Sequence, residues 1–268
     1  MKGTCQILRL IVRDERGMGA VGPHIHMSWK HELRQVFRRF GVDVVRYPLH
    51  EPLVRTVRLL EHHRVDCVVD VGANDGGFAA AIRGLGYTGR ILSFEPLKGP
   101  FETLNRKAIS DGNWRAMQCA IGDATGDVTI NVSGNAGLSS SVLPMLESHT
   151  HIAPNSRYVG TETVRQERLD VLLPELGVNP NIRTLLKVDV QGYEKAVLDG
   201  ASGLFANSAI VGLQLELSLV PLYDGAMTYR EGLDRAEDLG MTLMGLDPVF
   251  ADPESGQLLQ ADAVFFTA

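Results

Sequence analysis

Residues 67–77 read CVVDVGANDGG, an apolar run that ends in a glycine-rich turn. The residues after Gly77 follow a helical spacing, so the stretch predicts a strand, a tight turn and a helix. Glycines at positions 72 and 76 allow positive φ and let ligand atoms approach the backbone, while Asp70 places an acceptor at the end of the strand. We therefore expect a nucleotide-type ligand at this turn.

This turn differs from two common phosphate-binding loops. No Lys-Ser or Lys-Thr pair follows its glycines, which excludes the G-x-x-x-x-G-K-[ST] loop. Gly72 is followed by Ala73 and Asn74, so the second glycine of G-x-G-x-x-G is missing as well. The carboxylate of Asp70, just before the turn, suits the cationic amino-acid part of a ligand better than a pyrophosphate.

Short apolar runs alternate with helical patterns along the rest of the chain. Runs this apolar are typical of a mostly parallel sheet with helices on both faces, an α/β fold. The last two runs are joined by a segment rich in Pro and Gly, which predicts an antiparallel pair at the end of the sheet. The predicted strands are 67–71, 90–94, 115–120, 183–190, 209–217, 241–246 and 262–267, and the predicted helices are 52–63, 77–85, 100–109, 193–199 and 229–239.

Two further strands of the predicted sheet end in residues suited to a nucleoside. Glu95 follows the second strand, 19 residues past Gly76, where a carboxylate accepts hydrogen bonds from both hydroxyls of a ribose. After the third strand, Ile121 is placed to cover an adenine face and Asp123 to accept the exocyclic amine. A turn-forming role for Asp123, before Gly126, is the alternative.

Four runs of the sequence resemble the FkbM-type methyltransferases, over roughly residues 50 to 267. The most distinctive one is LKVDVQGYE at residues 186–194, and the others are VDVGAND at 69–75, FEP at 94–96 and AIGD at 120–123. The resemblance implies a Rossmann-like class I fold with a seven-stranded, mostly parallel sheet and an antiparallel last strand. It further implies S-adenosylmethionine as methyl donor and O-methylation of a hydroxyl on a sugar, a glycolipid or another natural product.

The same resemblance assigns residues to the donor site. Its first motif corresponds to four residues at the glycine-rich turn, its ribose carboxylate to Glu95, and its adenine-side pair to two residues after the third strand; Pro96, next to Glu95, is also predicted to contact the donor. These residues are Asp70, Gly72, Asn74 and Gly76, then Glu95 and Pro96, then Ile121 and Asp123. Two rival functions stay open: a nicotinamide-dependent oxidoreductase and a non-catalytic nucleotide-binding module of the same fold.

Methyl transfer to an alcohol calls for a base, and the sequence offers two kinds. Asp189 and Glu216 end neighbouring predicted strands, so they could flank the acceptor or hold a divalent cation between oxygen ligands, which we do not favour. A capping role for Asp189 is another alternative. His149 and His151 would alternate in an extended stretch, and one of them could act as a general base carried by a lid. The alternative to this catalytic role is that both are polar residues on a loop.

Composition places the chain among globular proteins. It has 268 residues, 44% of them hydrophobic and 22% charged, with a net charge of −6. Its three cysteines, Cys5, Cys67 and Cys119, form neither a disulfide framework nor a metal-binding pair. No run reaches the length of a membrane span. We expect an N-terminal extension with helices at 1–64, a methyltransferase domain at 65–268 with an inserted loop at 133–160, and a cytoplasmic location.

The N-terminal extension bears on possible partners. Residues 1–26 show no clear period, and whether they are ordered is left open. A helix predicted at 29–40 carries Lys30, Arg34 and Arg38 on one face, which suits an anionic acceptor or peripheral membrane contact as well as plain solvation. We expect a small-molecule or glycolipid acceptor and no nucleic acid, and we leave the oligomeric state open, with a homodimer among the alternatives.

Overall fold

The computed structural model describes residues 9–12, 36, 43–46 and 51–267. The chain divides into two compact units, residues 1–55 and 56–268. In the first unit, β1 (Arg9–Val12) and β2 (Asp43–Arg46) pair in parallel. Apart from β1, the segment 1–26 lies outside the described residues. The helix predicted at 29–40 also lies outside them, apart from Val36, which is helical. The domain boundary placed at residues 64 and 65 stays a prediction.

From residue 51 onward the chain alternates helices and strands. The helices are α1 (Pro52–His62), α2 (Gly77–Gly84), α3 (Lys98–Ile109), α4 (Glu147–Ile152), α5 (Leu169–Glu175), α6 (Glu194–Asp199), α7 (Ser202–Ala206) and α8 (Tyr229–Asp238). The strands are β3 (Cys67–Val71), β4 (Arg90–Phe94), β5 (Trp114–Met117), β6 (Ala120–Ile121), β7 (Gly126–Ser133), β8 (Tyr158–Glu167), β9 (Thr184–Val188), β10 (Ile210–Ser218), β11 (Met241–Ala251) and β12 (Leu258–Thr267).

The main sheet has seven strands in the order β11-β12-β10-β9-β3-β4-β5. All its pairs are parallel except those of β12, which runs antiparallel to both β10 and β11. This confirms the predicted α/β fold with an antiparallel last strand. The strand order reverses between β3 and β9, and ligands of open α/β sheets bind beside the carboxyl ends of the strands at such a point.

Both faces of the central strands are covered. Val69 and Val71 of β3 belong to a core cluster that includes Leu169 and Leu173 of α5. Val68 points to the other face and is also fully buried. Strands buried on both faces show no polar alternation, which is why these runs were recognisable in the sequence.

The prediction of one strand at 115–120 was wrong. The chain leaves the main sheet after β5, and β6 pairs instead with β8, where Ala120 lies opposite Gln166. Strands β6, β8 and β7 form a separate three-stranded sheet. The short helices α5 and α7 were not predicted.

The segment 133–160, expected as an inserted loop, contains regular structure. It includes α4 and a 3₁₀ turn (Pro154–Ser156), and it is held by bridges from Asn131 to Ser141 and from Met145 to Tyr223. The extended stretch expected around His149 and His151 is in fact the helix α4. Its ends are fixed by distant contacts, such as the Leu146 amide donating to the Leu222 carbonyl over 2.9 Å.

Cys67 and Cys119 are buried free thiols, and Cys5 lies outside the described residues. Within the described ranges, no helix combines the length and apolar character needed to cross a membrane.

Candidate active site

A cavity lies at the carboxyl ends of β3, β4, β6 and β9. It encloses about 690 Å³ of space outside atoms, part of it open to solvent. Its walls come from the strand ends and from the segment 133–160, which contributes Gly137, Leu138, Ser140 and Ser141. Six of the twelve predicted site residues line it: Gly72, Asn74, Glu95, Pro96, Ile121 and Asp189.

The glycine-rich turn is shaped by close contact between two strand ends. Gly72 has φ +77°, and a Cβ there would lie 1.9 Å from the backbone oxygen of Asp189. The Gly72 amide donates to the Phe94 carbonyl over 3.0 Å, and the Asp189 amide donates to the Val71 carbonyl over 3.1 Å. Only glycine satisfies both the backbone angle and the space, so this residue brings the ends of β3, β4 and β9 together.

Glu95 is fixed from the neighbouring turn. Its Oε2 accepts the Asn74 amide at 2.8 Å and its Oε1 accepts the Leu97 amide at 2.9 Å. Burial raises its pKa to about 7, although both backbone amides favour the charged form. Each oxygen keeps a lone pair for a further hydrogen bond, so the carboxylate is able to accept two hydroxyls.

The side of the cavity next to Glu95 is apolar. Pro96, Leu97, Ile121 and Ile130 line it, all of them on β4, β6, β7 or the adjoining turns. Flat apolar walls beside a carboxylate suit a nucleoside, with the base against the walls and the ribose on the carboxylate. The residues present therefore fit the adenosine part of S-adenosylmethionine.

Three predicted donor residues do not line the cavity. Gly76 has φ +81° and caps α2, packed against Leu104 and Trp114. Asp123 is exposed, and its backbone carbonyl accepts a hydrogen bond from Arg168. Asp70 is fully buried beneath the cavity.

Asp70 forms a buried ion pair. Its Oδ1 lies 3.4 Å from the ammonium of Lys187, which sits opposite it in the register of β3 and β9. Burial lowers the pKa of Lys187, but the carboxylates of Asp189 and Asp70 outweigh this, so its pKa lies above the ordinary value. Lys187 is therefore charged and positions Asp70 and Asp189, which both contact it.

Of the two predicted catalytic carboxylates, Asp189 is the one that lines the cavity. Its Oδ2 accepts the Lys187 ammonium at 3.3 Å, and its Oδ1 accepts the side-chain amide of Gln191 at 3.0 Å. The same amide donates to Oε2 of Glu216 at 2.7 Å, and so does the amide of Gln260. The two predicted carboxylates are thus brought close together, and the side-chain amide of Gln191 lies between them and donates to both.

Glu216 does not line the cavity. Burial and the nearby carboxylates of Asp189, Glu194 and Asp262 raise its pKa well above the ordinary value. In the described part of the chain, no group of three His, Cys, Asp or Glu side chains is arranged to hold a metal ion.

The two predicted histidines lie outside the cavity wall. His149 is 2% exposed and meets the ring of Tyr223 edge-on at 5.3 Å. Burial lowers its pKa. His151 is exposed on the same helix. His149 therefore packs α4 against the body of the domain.

Sequence reasoning missed Gln191 and Tyr223 as members of the site. The Tyr223 hydroxyl lies 2.9 Å from Oε1 of Gln191 and 3.1 Å from the Ser139 carbonyl, so its single hydrogen is shared between two acceptors. A signal was available for Gln191, since it follows Asp189 by two residues at a strand end. Tyr223 had no local signal, because its role depends on a contact between distant segments.

Comparison with known proteins gives one family. A family model described as "Methyltransferase FkbM domain" matches residues 70–243, well over half of the chain. No match was found among curated proteins.

Several solved structures are similar in fold at low identity. Precorrin-6y C5,15-methyltransferase from Geobacter metallireducens GS-15 is 13% identical, with a TM-score of 0.42 over 81% of this chain and 88% of that one. Magnesium protoporphyrin IX methyltransferase from Synechocystis PCC 6803, solved with bound SAM, is 10% identical, with a TM-score of 0.42 over 92% of this chain and 87% of that one.

The family match includes the predicted donor-binding residues and the two predicted catalytic carboxylates. It begins at Asp70 in the glycine-rich turn and extends past β10, so it includes Glu95, Asp189 and Glu216. A methyltransferase assignment also removes the nicotinamide-dependent oxidoreductase as an alternative. The chain belongs to the FkbM family of S-adenosylmethionine-dependent methyltransferases.

Proposed function

We propose that this methyltransferase acts on oxygen, transferring a methyl group to a hydroxyl of a sugar, a glycolipid or another natural product. The observation that carries the proposal is the Asp189 carboxylate in the cavity wall. It is held by Lys187 and Gln191, and its side chain keeps 35% of its surface exposed. A fixed carboxylate beside the donor site is suited to accept the proton of an alcohol.

The residues of the chain have few tasks in this reaction. S-adenosylmethionine supplies a methyl group already activated by the sulfonium. Glu95 and the apolar wall around Ile121 hold and orient the nucleoside part of the donor. Asp189 accepts the proton that the acceptor oxygen loses as it gains the methyl group. Placement within about 3 Å supplies much of the remaining rate enhancement.

A panel of acceptors tests the proposal. The purified chain is incubated with S-adenosylmethionine carrying a ¹³C-methyl group and with matched alcohols, amines and thiols built on the same sugar. We expect product only from the alcohols, with a methyl carbon shift typical of an ether. Product from the amines or thiols instead would contradict transfer to oxygen, and no product would favour the non-catalytic binding module.

Donor affinity should depend on pH through Glu95. Ribose hydroxyls donate to the carboxylate form, and the pKa of Glu95 is raised to about 7. We expect S-adenosylmethionine to bind up to about tenfold more weakly at pH 6 than at pH 8, because binding then has to remove a proton. Calorimetric titration across this range measures the effect.

Glu95→Gln is the matched control for the pH effect. It keeps the size of the side chain but does not titrate, so its donor affinity should be lower throughout and vary little with pH. An equally steep pH dependence in this variant would assign the effect to another group.

The remaining expectations about partners continue as proposals. We propose a small-molecule or glycolipid acceptor, no nucleic-acid partner, at most peripheral contact with a membrane, and a cytoplasmic location. Oligomeric state is an open part of this proposal, with a homodimer among the alternatives.

A further inference from the structure

Gln191 has an unusual backbone conformation for its type. Its φ is +55°, in the left-handed region that residues other than glycine seldom adopt. Such a conformation persists where the surroundings enforce it, and it is often found at functional sites. Gln191 lies three residues after the end of β9, in the wall of the cavity, and its side chain takes part in three hydrogen bonds.

The orientation of the Gln191 amide is fixed by Tyr223. This tyrosine is 1% exposed, and its hydroxyl donates to Oε1 of Gln191 over 2.9 Å. Nε2 is thereby turned to the opposite side, where its two hydrogens reach two carboxylates: Oδ1 of Asp189 at 3.0 Å and Oε2 of Glu216 at 2.7 Å. All the hydrogen-bonding groups of this side chain are engaged in one arrangement.

The bridging amide addresses an electrostatic problem. The carboxylates of Asp189, Glu194 and Asp262 all lie near Glu216, and together with burial they raise its pKa. Two carboxylates brought together in this way are commonly joined by a shared proton or a divalent cation. Here each carboxylate accepts a hydrogen bond from the side-chain amide of Gln191, and Asp189 also accepts one from the ammonium of Lys187.

Gln191 also connects the site to the segment 133–160. The Ser141 hydroxyl donates to the Gln191 backbone carbonyl over 2.7 Å, and the Ser139 carbonyl, 3.1 Å from the Tyr223 hydroxyl, shares the hydrogen of that hydroxyl with Gln191. The residue that holds the Asp189 carboxylate is therefore held in turn by the wall of the cavity.

We propose that Gln191 is a positioning residue for methyl transfer, and that its amide takes the place between Asp189 and Glu216 that a divalent cation would otherwise fill. Tyr223 fixes the direction of this amide. The role of Asp189 as base rests on the proposed function, whereas the arrangement of the amide between two carboxylates does not.

Kinetics with a hydroxyl acceptor from the panel test the positioning role. Gln191→Leu should lower kcat by about 10–100-fold and leave KM for the acceptor and Kd for S-adenosylmethionine within about twofold. Tyr223→Phe should act in the same direction with a smaller effect, and Gln257→Leu, at an exposed position, should match the wild type. An unchanged kcat in Gln191→Leu, or a loss that falls on donor affinity instead, would overturn the proposal.

A second experiment needs no acceptor, so its failure is separate from failure of the proposed function. Binding of Mn²⁺ to the full chain is followed by electron paramagnetic resonance in the wild type, in Gln191→Glu and in Gln191→Glu with Asp189→Asn. The wild type should bind no Mn²⁺ at this site, Gln191→Glu should acquire one ion through three carboxylates, and the double variant should lose it. Mn²⁺ binding by the wild type that disappears in the double variant, or no binding by Gln191→Glu, would contradict the proposal.

Discussion

Replacing Asp189 by Asn should lower the turnover number by about 100-fold or more, with little change in the affinity for S-adenosylmethionine. The substitution preserves the shape of the side chain but removes the negative charge that we propose accepts the proton of the acceptor hydroxyl. Donor affinity should stay within about twofold, because Glu95 and the apolar wall make the contacts to the nucleoside. Single-turnover rates and calorimetric titrations of the same preparation separate the two quantities.

Two controls complete the experiment on Asp189. Asp127→Asn makes the same chemical change at an exposed position in β7 and should leave turnover unchanged. Addition of EDTA to the wild type should also leave turnover unchanged. Gln191 and Lys187 already donate hydrogen bonds to the Asp189 carboxylate, so no metal ion is needed to hold it. A fully active Asp189→Asn would assign the proton transfer to another group and leave Asp189 as a structural residue.

Gly72→Ala should be among the most damaging single substitutions in the domain. The added Cβ would lie 1.9 Å from the backbone oxygen of Asp189 at a position with φ +77°, so the end of β3 has to separate from the end of β9. Left-handed backbone costs about 1–2 kcal/mol, and the backbone clash adds a cost of similar or greater size. We expect a loss of about 3 kcal/mol, a melting temperature lower by about 6–12 °C, and no detectable donor binding.

Gly84→Ala provides the matched control for Gly72→Ala. Gly84 is the last residue of α2, and a Cβ there would meet no atom within 4 Å. Alanine favours the helix by up to about 1 kcal/mol, so this variant should melt at or slightly above the wild-type temperature. A melting temperature of Gly72→Ala within about one degree of the wild-type value would contradict the close contact between the ends of β3 and β9.

The sheet was predictable because its signal is local. Strands such as β3 and β4 are buried on both faces, so each appears as a continuous apolar run, and the predicted bounds 67–71 and 90–94 agree with the structure. The position of Glu95 followed from a general rule, since the carboxyl ends of parallel strands meet at one edge. These inferences required no knowledge of contacts between distant residues.

The details of the site depend on contacts that no single segment contains. Asp70 was expected to touch the ligand, but it pairs with Lys187 because the register of β3 and β9 puts the two residues side by side. The role of Gln191 depends likewise on the hydroxyl of Tyr223, 32 residues further along the chain. Strand register and long-range hydrogen bonds of this kind cannot be derived from hydrophobic periodicity.

The segment 133–160 shows the same limit. Its content of Gly, Ser and Asn predicted a loop, and the composition gave no sign that His149 would be buried against Tyr223 and Phe250. Those two rings come from residues near β10 and from β11, far away in the sequence. Burial of His149 is therefore a property of the assembled domain and cannot be read from the residues of α4.

We expect the ends of β3, β4 and β6 to hold S-adenosylmethionine, with its ribose on Glu95. Calorimetric titration of S-adenosylmethionine into the wild type and Glu95→Ala at pH 8 tests it most directly. Loss of two hydrogen bonds to a carboxylate should weaken binding by about 1–3 kcal/mol, or roughly 5- to 150-fold in Kd. Equal dissociation constants for the two proteins would place the ribose elsewhere and contradict the account.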